Sequence, residues 1–265
     1  MLTRLSYYGE MLRNDPLNLV LYLAYFGFAI LLSLMLHEIA HGFVAWKCGD
    51  PTAKMMGRLT LDPSKHLDPI GTVCMVLLGV GWARPVPVNP RNFRHYRRDD
   101  FLVSIAGIVT NLALFLVSTT VTVLLSRVMW DADFYQYARE NGMVEAMVSP
   151  FWNIGYGLMT GTLDARFTTY LAVPWLQYII RLMMMMSQIN LSLAMFNLLP
   201  IPPLDGYHIV NDLLLKGRLQ LNRTMFQAAQ VLLIVAVMSG VLSNVLSTMI
   251  GAVYDAALRV LLLIA

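Results

Sequence analysis

Long apolar runs, rather than alternating polar and apolar positions, set the pattern of this chain. Residues 17–36, 101–126, 182–199 and 225–250 contain no Asp, Glu, Lys or Arg. Each is 18 to 26 residues long, enough for a helix to cross a hydrocarbon layer ~30 Å thick. With their flanks they predict four spans, at about 17–43, 101–128, 170–199 and 225–250. Two more apolar stretches, 69–80 and 253–265, are short for a crossing. They read as a re-entrant hairpin and a terminal amphipathic piece. The fold class expected is an all-α polytopic membrane protein, forming one domain over 1–265 with a loop at about 129–167.

Composition supports this. Of 265 residues 57% are hydrophobic and 13% charged, against ~45–50% and ~25% in soluble domains, and no segment has the make-up of a separate soluble domain. Arg4 ahead of apolar residues hints at a signal peptide, but cleavage after the run would strand the histidines discussed below, so the segment is expected to be retained. Cys48 and Cys74 are the only cysteines and fall in the section assigned to the cytosol, so no structural disulfide is expected.

Charge assigns the sides. Lys47, Lys54, Arg58, Lys65, Arg84, Arg91, Arg94, Arg97 and Arg98 follow the first run, whereas residues 131–166 carry five acids and only Arg139 and Arg166. The positive-inside bias makes the first segment cytosolic, the second external and the N-terminus external. Lys216, Arg218 and Arg223 then return the third loop to the cytosol, as alternation requires. The net charge of +3 follows from this topology, with the lipid bilayer as partner and no nucleic acid.

Chemistry enters at the end of the first run. In Leu36-His-Glu-Ile-Ala-His-Gly42, two imidazoles four residues apart share one helix face and can both hold a zinc ion, while Glu38 can reach a water at the metal. A third ligand must come from the same depth. One soluble scheme needs Gly and His where this chain has Val44 and Lys47, and the other needs a downstream Glu, yet the next is Glu140, on the external side.

The third run ends in Asn197-Leu-Leu-Pro200-Ile-Pro202-Pro203-Leu-Asp205-Gly206. Three prolines in four residues break the helix. A carboxylate at such a break is costly unless paired or metal-bound, which makes Asp205 the third ligand. Two His and one carboxylate leave the fourth tetrahedral position open, the arrangement of a catalytic zinc site. His208 either competes as a ligand, orients one, or has no role. His66 and His95 read as ordinary loop residues, and Met183–Met186 as packing.

His37-Glu-x-x-His41 in a membrane segment, followed by Asn197-x-x-Pro-x-Pro-Pro-x-Asp205-Gly206, resembles the site-2 protease family of intramembrane zinc metalloproteases. Gly49-Asp-Pro-Thr, Gly57-Arg-Leu-Thr-Leu, His66-Leu-Asp-Pro-Ile-Gly-Thr72 and Gly81-Trp-Ala-Arg-Pro-Val-Pro-Val-Asn-Pro90 are similar to its compact bacterial branch, which has no PDZ-like or regulatory module. The chain departs from the family at Ile108, where proline is usual. The resemblance implies one zinc on His37, His41 and Asp205, Glu38 as general base and acid, and Asn111 as a substrate or oxyanion contact. Asn111 equally suits an interhelical hydrogen bond. The resemblance also implies small membrane-associated β-strands at 52–61 and 84–89, whose edge could pair with substrate.

The function expected is hydrolysis of peptide bonds within or next to transmembrane segments, in regulated intramembrane proteolysis, on the cytosolic side of a bacterial inner membrane. Substrates would be membrane-anchored proteins such as anti-sigma factors, or remnant signal peptides. Two other readings are a catalytically silent zinc-binding scaffold or chaperone, which an intact Glu38 opposes, and a metal transporter, which calls for more intramembrane carboxylates or histidines.

Overall fold

The computed structural model of the protein describes residues 2–78, 83–219 and 221–264. Its first helices are α1 (Leu2–Asn14), α2 (Pro16–Lys47), α3 (Thr52–Met55), α4 (Pro69–Leu78) and α5 (Tyr96–Met129). Four short helices follow, α6 (Ala132–Glu140), α7 (Val144–Val148), α8 (Asn153–Thr160) and α9 (Ala165–Thr168), and then α10 (Leu176–Asn197), α11 (Asp205–Leu213), α12 (Arg223–Met238) and α13 (Val241–Ile264). Four of these are long and apolar enough to cross a membrane: Pro16–Lys47, Tyr96–Met129, Leu176–Asn197 and Val241–Leu263.

Local chemistry explains many of the boundaries. Asp-Pro starts two helices: Asp15 Oδ1 accepts the Asn18 N–H at 3.0 Å ahead of α2, and Asp68 Oδ1 accepts the Gly71 N–H at 2.8 Å ahead of α4. The carboxylate caps free N–H groups while proline suits the first helical position. Asp131, Asp164 and Asn222 cap α6, α9 and α12 in the same way. Two of the acids counted in 131–166 as a topology signal are therefore helix caps.

Three expectations change. First, the run 225–250 is not one helix. Gly240, at φ +79°, turns the chain after α12, and α13 takes Val241 onward as the fourth candidate span. Of residues 253–265, expected to be a separate terminal piece, 253–263 belong to that span. Hydropathy is blind to a Ser-Gly turn with apolar residues on both sides.

Second, the expected β-strands do not form; the described residues hold no strand, only an isolated bridge between Trp130 and Leu171. Asp50 Oδ1 accepts the Thr52 N–H at 3.1 Å, and the chain enters α3. Residues 84–89 are irregular backbone, but Pro85 and Pro87 offer no N–H for a ladder. Third, the expected hairpin at 69–80 is not seen: its described part is the single helix α4, and residues 79 and 80 lie outside the described residues.

The contacts divide the chain into two compact units. One comprises Leu31–Leu112 and Ser192–Ile250 and carries every candidate site residue. The other comprises Leu2–Ile30, Ala113–Leu191 and the chain from Gly251 onward. In this second unit Arg181 is buried, at 4% exposure. Its guanidinium donates to the Met159 carbonyl at 3.1 Å and the Thr160 carbonyl at 3.0 Å and lies 5.2 Å from the Tyr25 ring centroid. Asn18 Nδ2 donates to Thr160 O as well, at 3.1 Å. A cation thus closes the C-terminal, negative end of α8, where Gly161 leaves the helix at φ +74°. Arg181→Ala should lower stability by about 3 kcal/mol, measured by denaturant titration in micelles; an unchanged midpoint would contradict this role.

Candidate metal centre

His37 and His41 lie one turn apart on α2, and Asp205 is the first residue of α11. His37 Nε2 is 3.0 Å from His41 Nε2 and 3.3 Å from Asp205 Oδ2, and His41 Nε2 is 3.4 Å from Asp205 Oδ2. Among the described residues this is the group of three that could hold a metal ion. Zinc arms of ~2.0–2.1 Å at tetrahedral angles place their donors ~3.3 Å apart, and the three separations match that edge.

The protonation pattern agrees. His41 Nδ1 is 2.7 Å from the Val103 carbonyl oxygen. A carbonyl only accepts, so Nδ1 carries the proton and Nε2 turns a lone pair to the group. Asp205 Oδ2 is buried with no hydrogen-bond donor. Two buried acceptors, His41 Nε2 and Asp205 Oδ2, converging beside His37 Nε2 are unfavourable unless a cation or protons join them, and the set of two nitrogens and one carboxylate oxygen suits zinc.

Two glycines make the convergence possible. A Cβ on Gly107, in α5, would lie 2.6 Å from both His37 Nδ1 and His41 Nε2. A Cβ on Gly206 would lie 2.5 Å from Leu199 O, because the proline-broken segment doubles back on itself before α11. Neither glycine was assigned a role from sequence. No sequence signal singles out Gly107, because the atoms it makes room for come from another helix.

Glu38 is half-buried beside the histidines, and its Oε2 accepts the Val86 N–H at 2.7 Å. Asn111, fully buried, lies one turn along α5 from Gly107 on the same face, ~6 Å by helical rise. Both ends of its amide are without a hydrogen-bond partner, so the interhelical bond considered for it is not made.

His208 is not brought to the metal group. Its Nδ1 lies 3.0 Å from Asp100 Oδ2, a contact that raises its pKa above the ordinary value despite opposing burial. Nearby, Arg97 donates to the Asp212 backbone oxygen at 2.8 Å, and burial together with Asp100 pushes the Asp212 carboxyl up to about 6. These contacts tie α11, and with it Asp205, to the start of α5.

The chain matches the model of Peptidase family M50 over residues 25–241, a stretch that includes His37, Glu38, His41, Asn111 and Asp205. The chain belongs to peptidase family M50. It is 41% identical over 202 residues to YwhC of Bacillus subtilis (strain 168), covering 76% of this chain and 73% of that protein. It is 38% identical over 101 residues to Rip2 of Mycobacterium tuberculosis, covering 36% and 38%. Both relatives are named as zinc metalloproteases. No solved structure matches. Family M50 membership and the four apolar helices make the protein a multi-pass membrane zinc metalloprotease of the site-2 protease family.

Gly107→Ala should displace both imidazoles and cut bound zinc at least tenfold, measured by metal analysis of the purified protein. His208→Ala should keep its zinc, and loss of the metal in that variant would place His208 among the ligands after all.

Proposed function

We propose that this M50 protein is an intramembrane endopeptidase with one zinc per chain, held by His37, His41 and Asp205, that hydrolyses peptide bonds within or next to transmembrane segments of membrane-anchored substrates. The observation that carries the reading is the tetrahedral-edge spacing of these three donors, with the Glu38 carboxylate one residue from His37 on a helix long and apolar enough to span a bilayer.

When bound, zinc supplies Lewis acidity, polarising a scissile carbonyl and bringing the pKa of a coordinated water towards ~7. Glu38 is the general base and acid: with Oε2 engaged by Val86 N–H, the other oxygen is free to take a proton from water and return it to the leaving amine. Asn111 holds unused donor and acceptor atoms, suited to a substrate backbone or a developing oxyanion. His41 is kept in one tautomer by Val103 O, and His208, through Asp100, helps hold the helix that begins with Asp205.

Charge bias supports placing the site near the cytosolic side of a cell membrane, with the N-terminus external. Helical substrates must unwind there, since their amides are hydrogen-bonded and their carbonyls shielded. Anti-sigma factors and remnant signal peptides both meet this description. Such cleavage would be a step of regulated intramembrane proteolysis.

Purified zinc-loaded protein should cleave candidate transmembrane peptides, followed by mass spectrometry of the products. Glu38→Gln should lose ~10²–10⁴-fold in rate while retaining zinc. Equal cleavage by both proteins would remove Glu38 from the chemistry, and zinc without cleavage of any substrate would favour a silent scaffold.

A further inference from the structure

The segment from Arg84 to Asn92 is strapped to its surroundings by side chains and a loop carbonyl. At its near end the Arg84 N–H donates to His66 O at 2.8 Å, and the Arg84 carbonyl accepts from the buried Arg58 guanidinium at 2.7 Å. At its far end stands Asp50, fully buried. Its carboxylate takes the Asn89 N–H at 2.7 Å and Asn92 Nδ2 at 2.7 Å, besides two donors from Thr52. Burial alone would raise the Asp50 pKa, but these donors hold it below the usual carboxylate range.

Between the two anchors, the segment reads Pro85-Val86-Pro87. Both prolines lack an N–H and have φ fixed near −65°, and each confines the residue before it to extended backbone. The result is a stiff strap that carries one amide N–H between Arg84 and Val88. That N–H meets Glu38 Oε2 at 2.7 Å. The Val86 side chain, 7% exposed, is seated on the same face of α2 one turn on, since a Cβ on Gly42 would lie 2.8 Å from Val86 Cγ1.

We infer that the Pro85-Val86-Pro87 strap is a positioning device for the general base: the Val86 N–H fixes the Glu38 carboxylate in its working rotamer, and Asp50 and Arg58 hold the strap in register. This inference rests on the protease reading above. A glutamate carboxylate has three side-chain torsions to settle before it can take a proton along one direction. A charge-assisted hydrogen bond from a backbone donor that cannot itself rotate settles them in advance. One oxygen is held and the other is left for the proton. Partners that orient metal ligands are worth ~10–100-fold in affinity or activity, and a donor that orients the base is expected to act on the same scale. Asp50, twelve residues from Glu38 and outside the metal group, thus becomes a positioning residue for a reaction it does not touch.

The test removes one hydrogen-bond donor. Val86→Pro replaces the N–H by a ring methylene at a position that Pro87 already confines to extended backbone, and it is measured against Val86→Ala, which also gives up the valine side-chain contacts but keeps the N–H. With zinc-loaded protein in micelles and a cleavable transmembrane peptide, Val86→Pro should lose about 10–100-fold in kcat relative to Val86→Ala. KM should stay within about twofold and zinc content should be equal. The loss should disappear on a Glu38→Asp background, where the shortened carboxylate no longer reaches residue 86. Asp50→Ala, which releases the far anchor without altering residue 86, should lower kcat in the same sense with zinc retained. Equal kcat for Val86→Pro and Val86→Ala overturns the inference. So does an undiminished loss on the Glu38→Asp background, which would mean general distortion. Failure of the unmodified protein to cleave anything would instead overturn the protease reading.

Discussion

Much of this molecule depends on one arrangement: three potential metal-ligand atoms, two imidazole nitrogens and a carboxylate oxygen, held 3.0–3.4 Å apart. Left without a cation or protons such a cluster is strongly unfavourable, because each group loses water and gains no donor. A divalent ion reverses the sign. The surrounding features serve this convergence. The four-residue spacing on α2 brings the imidazoles to one face, Gly107 leaves room for them on α5, and the proline break with Gly206 delivers Asp205 at the start of α11.

A second constraint is that backbone polar groups near the site need partners without a regular ladder. Among the described residues no strand is present, so side chains take over. Glu38 and Asp50 accept the free amides of the 84–92 segment, Arg58 covers a carbonyl, and Asp100 with Arg97 secures α11. Most of these are charged groups used as backbone partners, which explains how a chain with only 13% charged residues commits several of them to buried places. The loop that carries the Val86 N–H is thereby tied to the helix that carries Glu38.

The metal group was legible in the sequence because its parts break ordinary rules. Histidines at i and i+4 closing an uncharged run of membrane length, and an aspartate just beyond three prolines, are both costly unless joined. The first three spans were legible from hydropathy for the same reason. The fourth was misplaced, since Ser239-Gly240 interrupts apolar residues that continue on both sides. Residues 84–89 were expected as a strand and are irregular chain, and their partners were not legible: a strand expects ladder bonds, and only the fold shows that Glu38 and Asp50 replace them. Gly107 was invisible for a plainer reason, because its importance lies in what another helix places against it. His208 stood close to Asp205 in sequence, yet the helix turns it to Asp100.

Zinc X-ray absorption spectroscopy on the purified, zinc-loaded protein tests the central claim most directly, because it reads the coordination shell without reference to activity. Two histidines, one aspartate and an open position predict only nitrogen and oxygen neighbours at ~2.0–2.1 Å, with outer-shell scattering from two imidazole rings. Asp205→Ala should lower the occupancy or change that shell. A sulfur shell at ~2.3 Å, which would enlist Cys48 or Cys74, or a zinc shell unaltered in Asp205→Ala, would contradict the account.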